Sequence, residues 1–475
     1  MHLDSGKTKS LLGLFLLAAS VGAAAKAPNY LILVGDDISA SSLGCYGGLN
    51  PHTSPNIDRL AQEGIRFSNM FVSEAICAPT RAELYTGLQP QRNGCVQNHQ
   101  ATKTGTLSVV QHLGKLGYRV GLTGKTHFKP KSVYPFERVK GFPANCNAHE
   151  TTNETWEGVE EFMTRDAEQP FCLFICSIHA HAPWDSGDSS LWELDELKLP
   201  PHLVDTAETR HYYREHLAEV RLFDEQVGKA RALLETLKLD GNTALIVLDE
   251  NGAGMPCGKW TTYDWGVRSA CIIKWPGVET AFETDALAQY CDILPTLIDG
   301  GGGTVPNELD GKSLLPLIQG KTQTHRSNAF FVYNSGPEGP PFSSRAATDG
   351  RFKLMWNLTP DNLFAVRTIN GFDYGYEDKM KDRHVRLMYC SWLEKAQTDP
   401  AAEALVRRFR KQPEFQLFDL DADPWEMNNL ANNPEYAPQR QRLKAAISDW
   451  MEQQGDQGAE AQSKKKNEKT GDGKK

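Results

Sequence analysis

The sequence has no surplus of positive charge. Its 51 Lys and Arg stand against 60 Asp and Glu in 475 residues, giving a net charge of −9 and a pI near 5.9. That balance excludes a nucleic-acid binder, whose contact face is basic. It also means that an anionic substrate has to be caught by a local cluster of cations and not by the overall field. A membrane-spanning apolar run is missing as well. The stretch from Leu11 to Ala19 follows Lys7 and Lys9 and precedes Ala23-Ala24-Ala25. It is too short to cross a bilayer and has the layout of a secretory signal peptide, with cleavage after Ala25 and no following Cys for a lipid anchor. Cysteine is sparse: 10 residues in 475 are too few for a disulfide scaffold, which sets aside a stapled interaction domain. Cys172, Cys176 and Cys271 lie inside the apolar runs FCLFICSI and ACIIKW, where a Cys acts as a small hydrophobe. One or two disulfides among the others stay open. Internal repeats are also lacking.

What is present is an alternation. The run Tyr30-Leu31-Ile32-Leu33-Val34 ends at Gly35-Asp36-Asp37 and reads as a buried strand. A helix is expected over residues 53–63, with Ser54 as N-cap and Pro55 at its first position. Helical patterns follow at 106–116, 154–168, 207–239 (with one possible break) and 287–298. Apolar strand patterns fall at 118–123, 171–178, 243–248 and 270–275. Strands that are apolar throughout, separated by helices, predict an α/β fold: a large, mainly parallel sheet sandwiched by helices. After Gly300-Gly301-Gly302-Gly303 the pattern changes. Shorter strands at 329–333, 346–356 (a hairpin broken at Asp349-Gly350) and 415–420 predict an antiparallel sheet, followed by a helix at 438–451. The expected organisation is a signal peptide over 1–25, a catalytic domain over 26–334, a smaller C-terminal domain over 335–455 and a disordered tail over 456–475.

Several residues in this frame carry chemistry. Cys77-Ala78-Pro79-Thr80-Arg81 sits at a strand-to-helix corner, where unpaired N–H groups and the positive dipole end suit a nucleophile meeting an anion. A lone Cys is ordinarily just buried. Asp36 and Asp37 lie beyond the carboxyl end of the first strand, where open α/β sheets bind ligands. Adjacent carboxylates repel unless a cation neutralises them, and their hard oxygens favour Ca²⁺ or Mg²⁺. Asp249-Glu250-Asn251-Gly252 forms a second acidic corner at a strand end. Lys125 and His127, one residue apart, share a face if extended.

The order Cys-x-Pro-x-Arg, from Cys77 to Arg81, followed by Leu84-Tyr85-Thr86-Gly87, resembles the maturation signature of the type I sulfatases, in which the Cys is oxidised to formylglycine. Further segments match that family in order: Asp36-Asp37, Lys125-Thr126-His127, Ala180-His181-Ala182-Pro183-Trp184, Glu250-Asn251-Gly252, Lys259, and the closing 418–430. The resemblance implies an alkaline-phosphatase-like fold and hydrolysis of sulfate esters or sulfamates. It implies metal ligation by Asp36, Asp37, the modified Cys77, Glu250 and Asn251, with Ca²⁺ preferred to Mg²⁺. Glu250 departs from the family's usual Asp, and Asp249 is the weaker alternative. Arg81 would stabilise the nucleophile, Lys125 and Lys259 would hold sulfate, His127 would take a proton, and His181, in preference to His179, would serve the leaving group. Asn98-His99-Gln100 and the segment 129–137 look most like the heparan N-sulfatase branch. That adds His99 as a substrate contact and a sulfated sugar as substrate, algal polysaccharide fragments included. A formylglycine-generating enzyme is the implied maturation partner. The competing readings are a phosphoester or phosphonate hydrolase of the same superfamily, and an inactive sulfated-glycan-binding protein.

Overall fold

The computed structural model describes residues 26–145, 154–374 and 384–458; the expected signal peptide and most of the expected tail lie outside them. Eight strands form the large sheet: β1 (Asn29–Gly35), β2 (Ile65–Phe67), β3 (Arg119–Gly124), β4 (Glu137–Arg138), β5 (Phe171–Cys176), β6 (Thr243–Asp249), β7 (Cys271–Lys274) and β8 (Phe282–Thr284). Their spatial order is β8-β2-β7-β6-β1-β5-β3-β4. β1 pairs in parallel with β5 and β6, and β3 pairs in parallel with β4 and β5, whereas β7 runs antiparallel to both β2 and β6. The sheet is thus mainly parallel, as the buried runs predict, with one reversed strand that periodicity does not reveal.

Strand alternation splits the core in two. Tyr30, Ile32, Val34, Phe174 and Ile246 pack on one face, and Leu31, Leu33, Leu173, Ile175 and Val247 on the other. Both faces of every central strand are covered, which is why these runs are apolar throughout. Helix α1 (Pro55–Glu63) begins after Ser54 as expected. Ser54 Oγ does not cap its own helix, however; it accepts from Gly44 N and donates to Asp58, and Asp224 takes the N–H groups of Asn56 and Ile57. Helix α2 (Cys77–Thr86) is buried at all ten positions. Helix α3 (Ala207–Thr236) runs 30 residues without the expected break. The segments 106–116 and 154–168 keep only their centres as helix, Val109–Gly114 and Glu157–Thr164. The start of 287–298 pairs as a short strand, Ala288–Gln289, before the helix Ile293–Gly300.

Besides a small three-stranded sheet, a four-stranded antiparallel sheet runs in the order β9 (Ala329–Asn334), β10 (Ser343–Thr348), β11 (Phe352–Asn357), β12 (Phe415–Asp419). Helix α4 (Ala437–Gln454) covers one face through Leu443 and Ile447. Two boundaries differ from the sequence reading. Strand β9 belongs to this sheet, so its start at Ala329 precedes the expected division at 334/335. Asp456, the first residue of the expected tail, is buried in a bidentate ion pair with Arg345 and also receives Gln91. A composition count could not see those partners, because they lie far away along the chain.

Candidate active site

Register puts the site together. Gly35 lies opposite Asp249, Val34 opposite Cys176, and Cys176 opposite Gly124, so β1, β3, β5 and β6 end at one edge. The residues directly beyond those ends are Asp36-Asp37, Lys125 and Glu250-Asn251, and β5 leads on to His181. Gly124 makes one of these turns with φ +84°; a Cβ there would lie 1.9 Å from the Cys176 carbonyl oxygen, so only glycine swings Lys125 into the site. Gly252 is confined in the same way, with Trp265 O 1.8 Å from where its Cβ would be. Asp37, His99, His127 and Trp260 all adopt positive φ, at 59°, 59°, 42° and 70°. Such backbone costs on the order of 1–3 kcal/mol at each position and gathers where function needs it.

The sulfur of Cys77, 1% exposed, is the focus. Lys259 Nζ lies 3.0 Å and Lys125 Nζ 3.2 Å from it, and Asp37 Oδ1 lies at 4.0 Å. Lys259 also donates to both oxygens of Asp37 at 2.8 and 2.9 Å, and Lys125 to both oxygens of Asp36 at 2.5 and 2.7 Å. Arg81 spends its guanidinium on Glu250, through Nε at 2.7 Å and Nη2 at 2.9 Å, and on the Lys125 carbonyl at 3.1 Å. Glu250 Oε2 takes a further bond from Lys125 at 3.1 Å. Burial raises the Cys77 thiol, and Glu250 adds to the rise against the two lysines. The unmodified side chain is therefore a protonated thiol at neutral pH, a weak nucleophile.

A divalent cation fits this arrangement. Asp36, Asp37 and Cys77 each bring a ligand atom within 4.8 Å of the others. Asn251 gives its amide N–H to Asp37 Oδ1 at 2.9 Å, leaving its own Oδ1 buried without a partner among the described residues. Burial pushes Asp36 up, and Glu250 adds to this against the pull of Lys125. Against its own burial, Asp37 is held low, chiefly by Lys259. Glu250 completes the acidic set, but both its oxygens face Arg81. Asp249, the weaker alternative, lies elsewhere. Successive strand residues point to opposite faces, and its carboxylate is buried near Cys45 and Cys271, with burial raising it to about 8 against the pull of the Ala270 backbone N–H.

The remaining residues line a pocket of about 430 Å³ that includes Cys77, Lys125, Lys259, His99, His127 and His181. His181 Nε2 lies 3.9 Å from Asp37 Oδ2 while its Nδ1 lies 2.7 Å from the Ala182 carbonyl, and burial lowers it to about 3. His179 instead faces Glu219 at 3.8 Å. His127 Nε2 meets His99 Nδ1 at 2.7 Å, and burial, then Lys125, lowers His127 to about 2. The sequence reading missed Asn98, Trp260, Glu338 and Thr368, which share the pocket. Asn98 adjoins a residue that it did single out. Glu338, in the turn Gly336-Pro337-Glu338-Gly339, carries no sequence signal at all.

Comparison with known proteins decides the family. The family model described as Sulfatase matches residues 28–302, and one described as N-sulphoglucosamine sulphohydrolase, C-terminal, matches residues 257–363. The chain belongs to the sulfatase family. Its activity is that of a sulfuric ester hydrolase. An ulvan-active sulfatase of Formosa agariphila is 30% identical over 440 residues, covering 90% of this chain and 81% of that protein. Among solved structures, one bound to its substrate D-glucosamine-2-N,6-O-disulfate superposes with a TM-score of 0.66 at 19% identity, covering 91% of this chain and 99% of its own. A phosphonate monoester hydrolase of Agrobacterium radiobacter also gives 0.66, at 16% identity, covering 90% of this chain and 96% of its own. At such identities these two structures establish the alkaline-phosphatase-like fold alone. Cys45, Cys77, Cys95, Cys172, Cys176, Cys257, Cys271 and Cys291 are free. No described helix is long and apolar enough to cross a membrane.

Proposed function

We propose that this chain is an exported sulfatase that removes sulfate from sulfated sugars, as esters or sulfamates, with a formylglycine made from Cys77 as its nucleophile. The observation that carries the proposal is the placement of two buried ammonium groups within 3.2 Å of the Cys77 sulfur, over a carboxylate cluster with the donors for a divalent cation. Charge counting supports it. At full ionisation Asp36, Asp37 and Glu250 cancel Arg81, Lys125 and Lys259. A bound divalent cation would then be balanced by one sulfate monoanion and one ionised nucleophile, whereas a phosphate monoester dianion would overfill the site.

Asp36, Asp37, Glu250, Asn251 and residue 77 would hold the cation, with Ca²⁺ the favoured ion. When in place, the hydrated aldehyde supplies a hydroxyl nucleophile and the cation a Lewis acid. Lys125 and Lys259 bind the sulfate oxygens and stabilise charge as it develops. Arg81 clamps Glu250. His181 gives Nδ1–H to the Ala182 carbonyl, which turns a bare Nε2 toward the pocket. The arriving sulfate charge would let Nε2 take up a proton, which it then passes to the leaving atom. His127 accepts a proton from the residue-77 side. His99, Asn98, Thr368 and the indole of Trp260 surround the sugar. Residues 1–25 direct export, and a formylglycine-generating enzyme is the maturation partner.

The test joins the mass of the peptide around residue 77 to turnover of one sugar offered as sulfate ester, sulfamate and phosphonate monoester. Expected are a peptide lighter by one sulfur and two hydrogens and heavier by one oxygen, and release of sulfate in preference to phosphonate. Persistent sulfate release with Cys77 unmodified overturns the nucleophile; faster phosphonate hydrolysis overturns the substrate class.

A further inference from the structure

The pocket contains a chain of three side chains that ends on a residue with no role so far. His127 Nε2 is 2.7 Å from His99 Nδ1. His99 Nε2, at the other end of that ring, is 3.7 Å from Glu338 Oε1. Asn98 fixes the carboxylate by donating from Nδ2 to the same oxygen at 2.6 Å, and its own Oδ1 accepts the His99 backbone N–H at 3.1 Å. The His99 side chain is 60% exposed and Glu338 only 13%, so the carboxylate is the enclosed end of the contact and the ring the open one. His99 and His127 are both held at positive φ, a backbone state that few side chains adopt unless surrounding structure imposes it.

The hydrogen-bonding logic runs in one direction. At 3.7 Å the contact between His99 and Glu338 is electrostatic and not a hydrogen bond; the field of the carboxylate favours the His99 tautomer with the hydrogen on Nε2, the nitrogen that faces it. A neutral imidazole has a single N–H, so His99 Nδ1 is then a lone pair. The contact of 2.7 Å between the rings needs one hydrogen, and His127 Nε2 must supply it. His127, half-buried and kept neutral by desolvation and Lys125, is left with a bare Nδ1. That atom is buried and has no hydrogen-bond partner among the described residues. In the reverse arrangement a His99 lone pair would face a carboxylate, and His127 Nδ1 would carry a hydrogen with nothing to receive it.

We propose that Glu338, acting through His99, fixes the tautomer of His127 with the hydrogen on Nε2, making Nδ1 the proton-accepting atom of the active site. Glu338 and His99 are positioning residues in this account, and His127 is the group that exchanges the proton. The inference rests on the sulfatase reading for the use of that proton, but the tautomer itself does not depend on it. A ring locked by a carboxylate through a second residue is a general means of presenting a base of defined orientation.

The experiment reads the tautomer directly. Protein carrying ¹⁵N-labelled histidine, with Cys77 unmodified, is observed by long-range ¹H–¹⁵N correlation at neutral pH, and His127 is assigned by its loss in His127→Gln. The expected wild-type pattern is protonated Nε2 and bare Nδ1. Glu338→Leu removes the acceptor before His99 Nε2, so the pattern inverts at least in part; Glu338→Gln, whose amide oxygen takes the Asn98 donor and so still faces His99 Nε2, keeps it. In maturation-competent protein, Glu338→Leu lowers kcat on a sulfated sugar at least tenfold with KM changed by less than threefold, and Glu338→Gln recovers most of it. A wild-type His127 protonated on Nδ1, or a Glu338→Leu spectrum identical to wild type, overturns the proposal whatever the activity. A wild-type pattern as expected in a mature enzyme that releases no sulfate from any sugar overturns the functional reading instead and leaves the tautomer assignment standing.

Discussion

Replacing Glu250 by Gln separates two jobs that the sequence assigns to one side chain. By position Glu250 is a cation ligand, yet in the fold both its oxygens bind Arg81, and neither side chain has any exposure. The amide would keep the shape of the carboxylate but set one donor against an Arg81 N–H and leave a guanidinium buried without a counter-charge. Breaking a buried pair from one side costs about 3–5 kcal/mol. An unfolding entropy of roughly 2.1 cal/mol/K per residue over 475 residues gives about 1 kcal/mol per degree, so the thermal midpoint should fall by roughly 3–5 °C. The control is Glu137→Gln, which removes the half-exposed bidentate partner of Arg165. Exposed pairs are worth about 0–1 kcal/mol, so the control should move the midpoint by at most about 1 °C. Both variants are scanned with excess chelator and again with Ca²⁺. A Glu250→Gln deficit that persists in chelator supports the Arg81 clamp as its main role. A deficit that appears only with Ca²⁺ would refute this reasoning and leave Glu250 as a ligand alone.

Two further outcomes follow from the same structure. His202 is buried between Trp265 and Trp425 and lowered to about 3, first by burial and then by Arg408, against an ordinary value near 6.5 in the unfolded chain. The unfolded state therefore binds more protons below pH 6.5, and the stability due to neutral His202 is full above that pH and lost as pH falls. His202→Phe should gain about 2 kcal/mol relative to wild type between pH 6.5 and 5, at 1.36 kcal/mol per unit, read as the change in their midpoint difference; a pH-independent difference refutes it. Asp37→Asn removes a ligand of the proposed cation site. Wild type should gain about 2.7 kcal/mol of stability at a Ca²⁺ concentration one hundred times its Kd, followed by calorimetry, and the variant should gain little at the same concentration; an equal gain in both would place the ion elsewhere.

Much of the fold was legible because it rests on local pattern. Strands apolar at every position announce a sheet covered on both faces, and the Asp349-Gly350 hairpin announces the antiparallel sheet. The pairing of β7 was not legible, since direction is set by which neighbour a strand meets. Asp456 reads as part of a polar tail until Arg345 is seen beside it. The candidate site divides in the same way. Asp36, Cys77, Lys125, His181, Glu250 and Lys259 were found because each follows a strand end or opens a helix within a recognisable motif. Glu338 was not, because its only credential is a position beside His99.

The sequence alone determined the kinds of group available: a Cys at a helix start, a pair of carboxylates, two lysines and three histidines at the ends of buried strands, and a family signature linking them. Tertiary structure decided which atoms meet. The register of four strands brings Asp36, Lys125, His181 and Glu250 to one edge, burial turns the Cys77 thiol into a poor nucleophile, and the Arg81 clamp draws Glu250 into a second role. Those outcomes depend on distance and desolvation, and residue order carries neither.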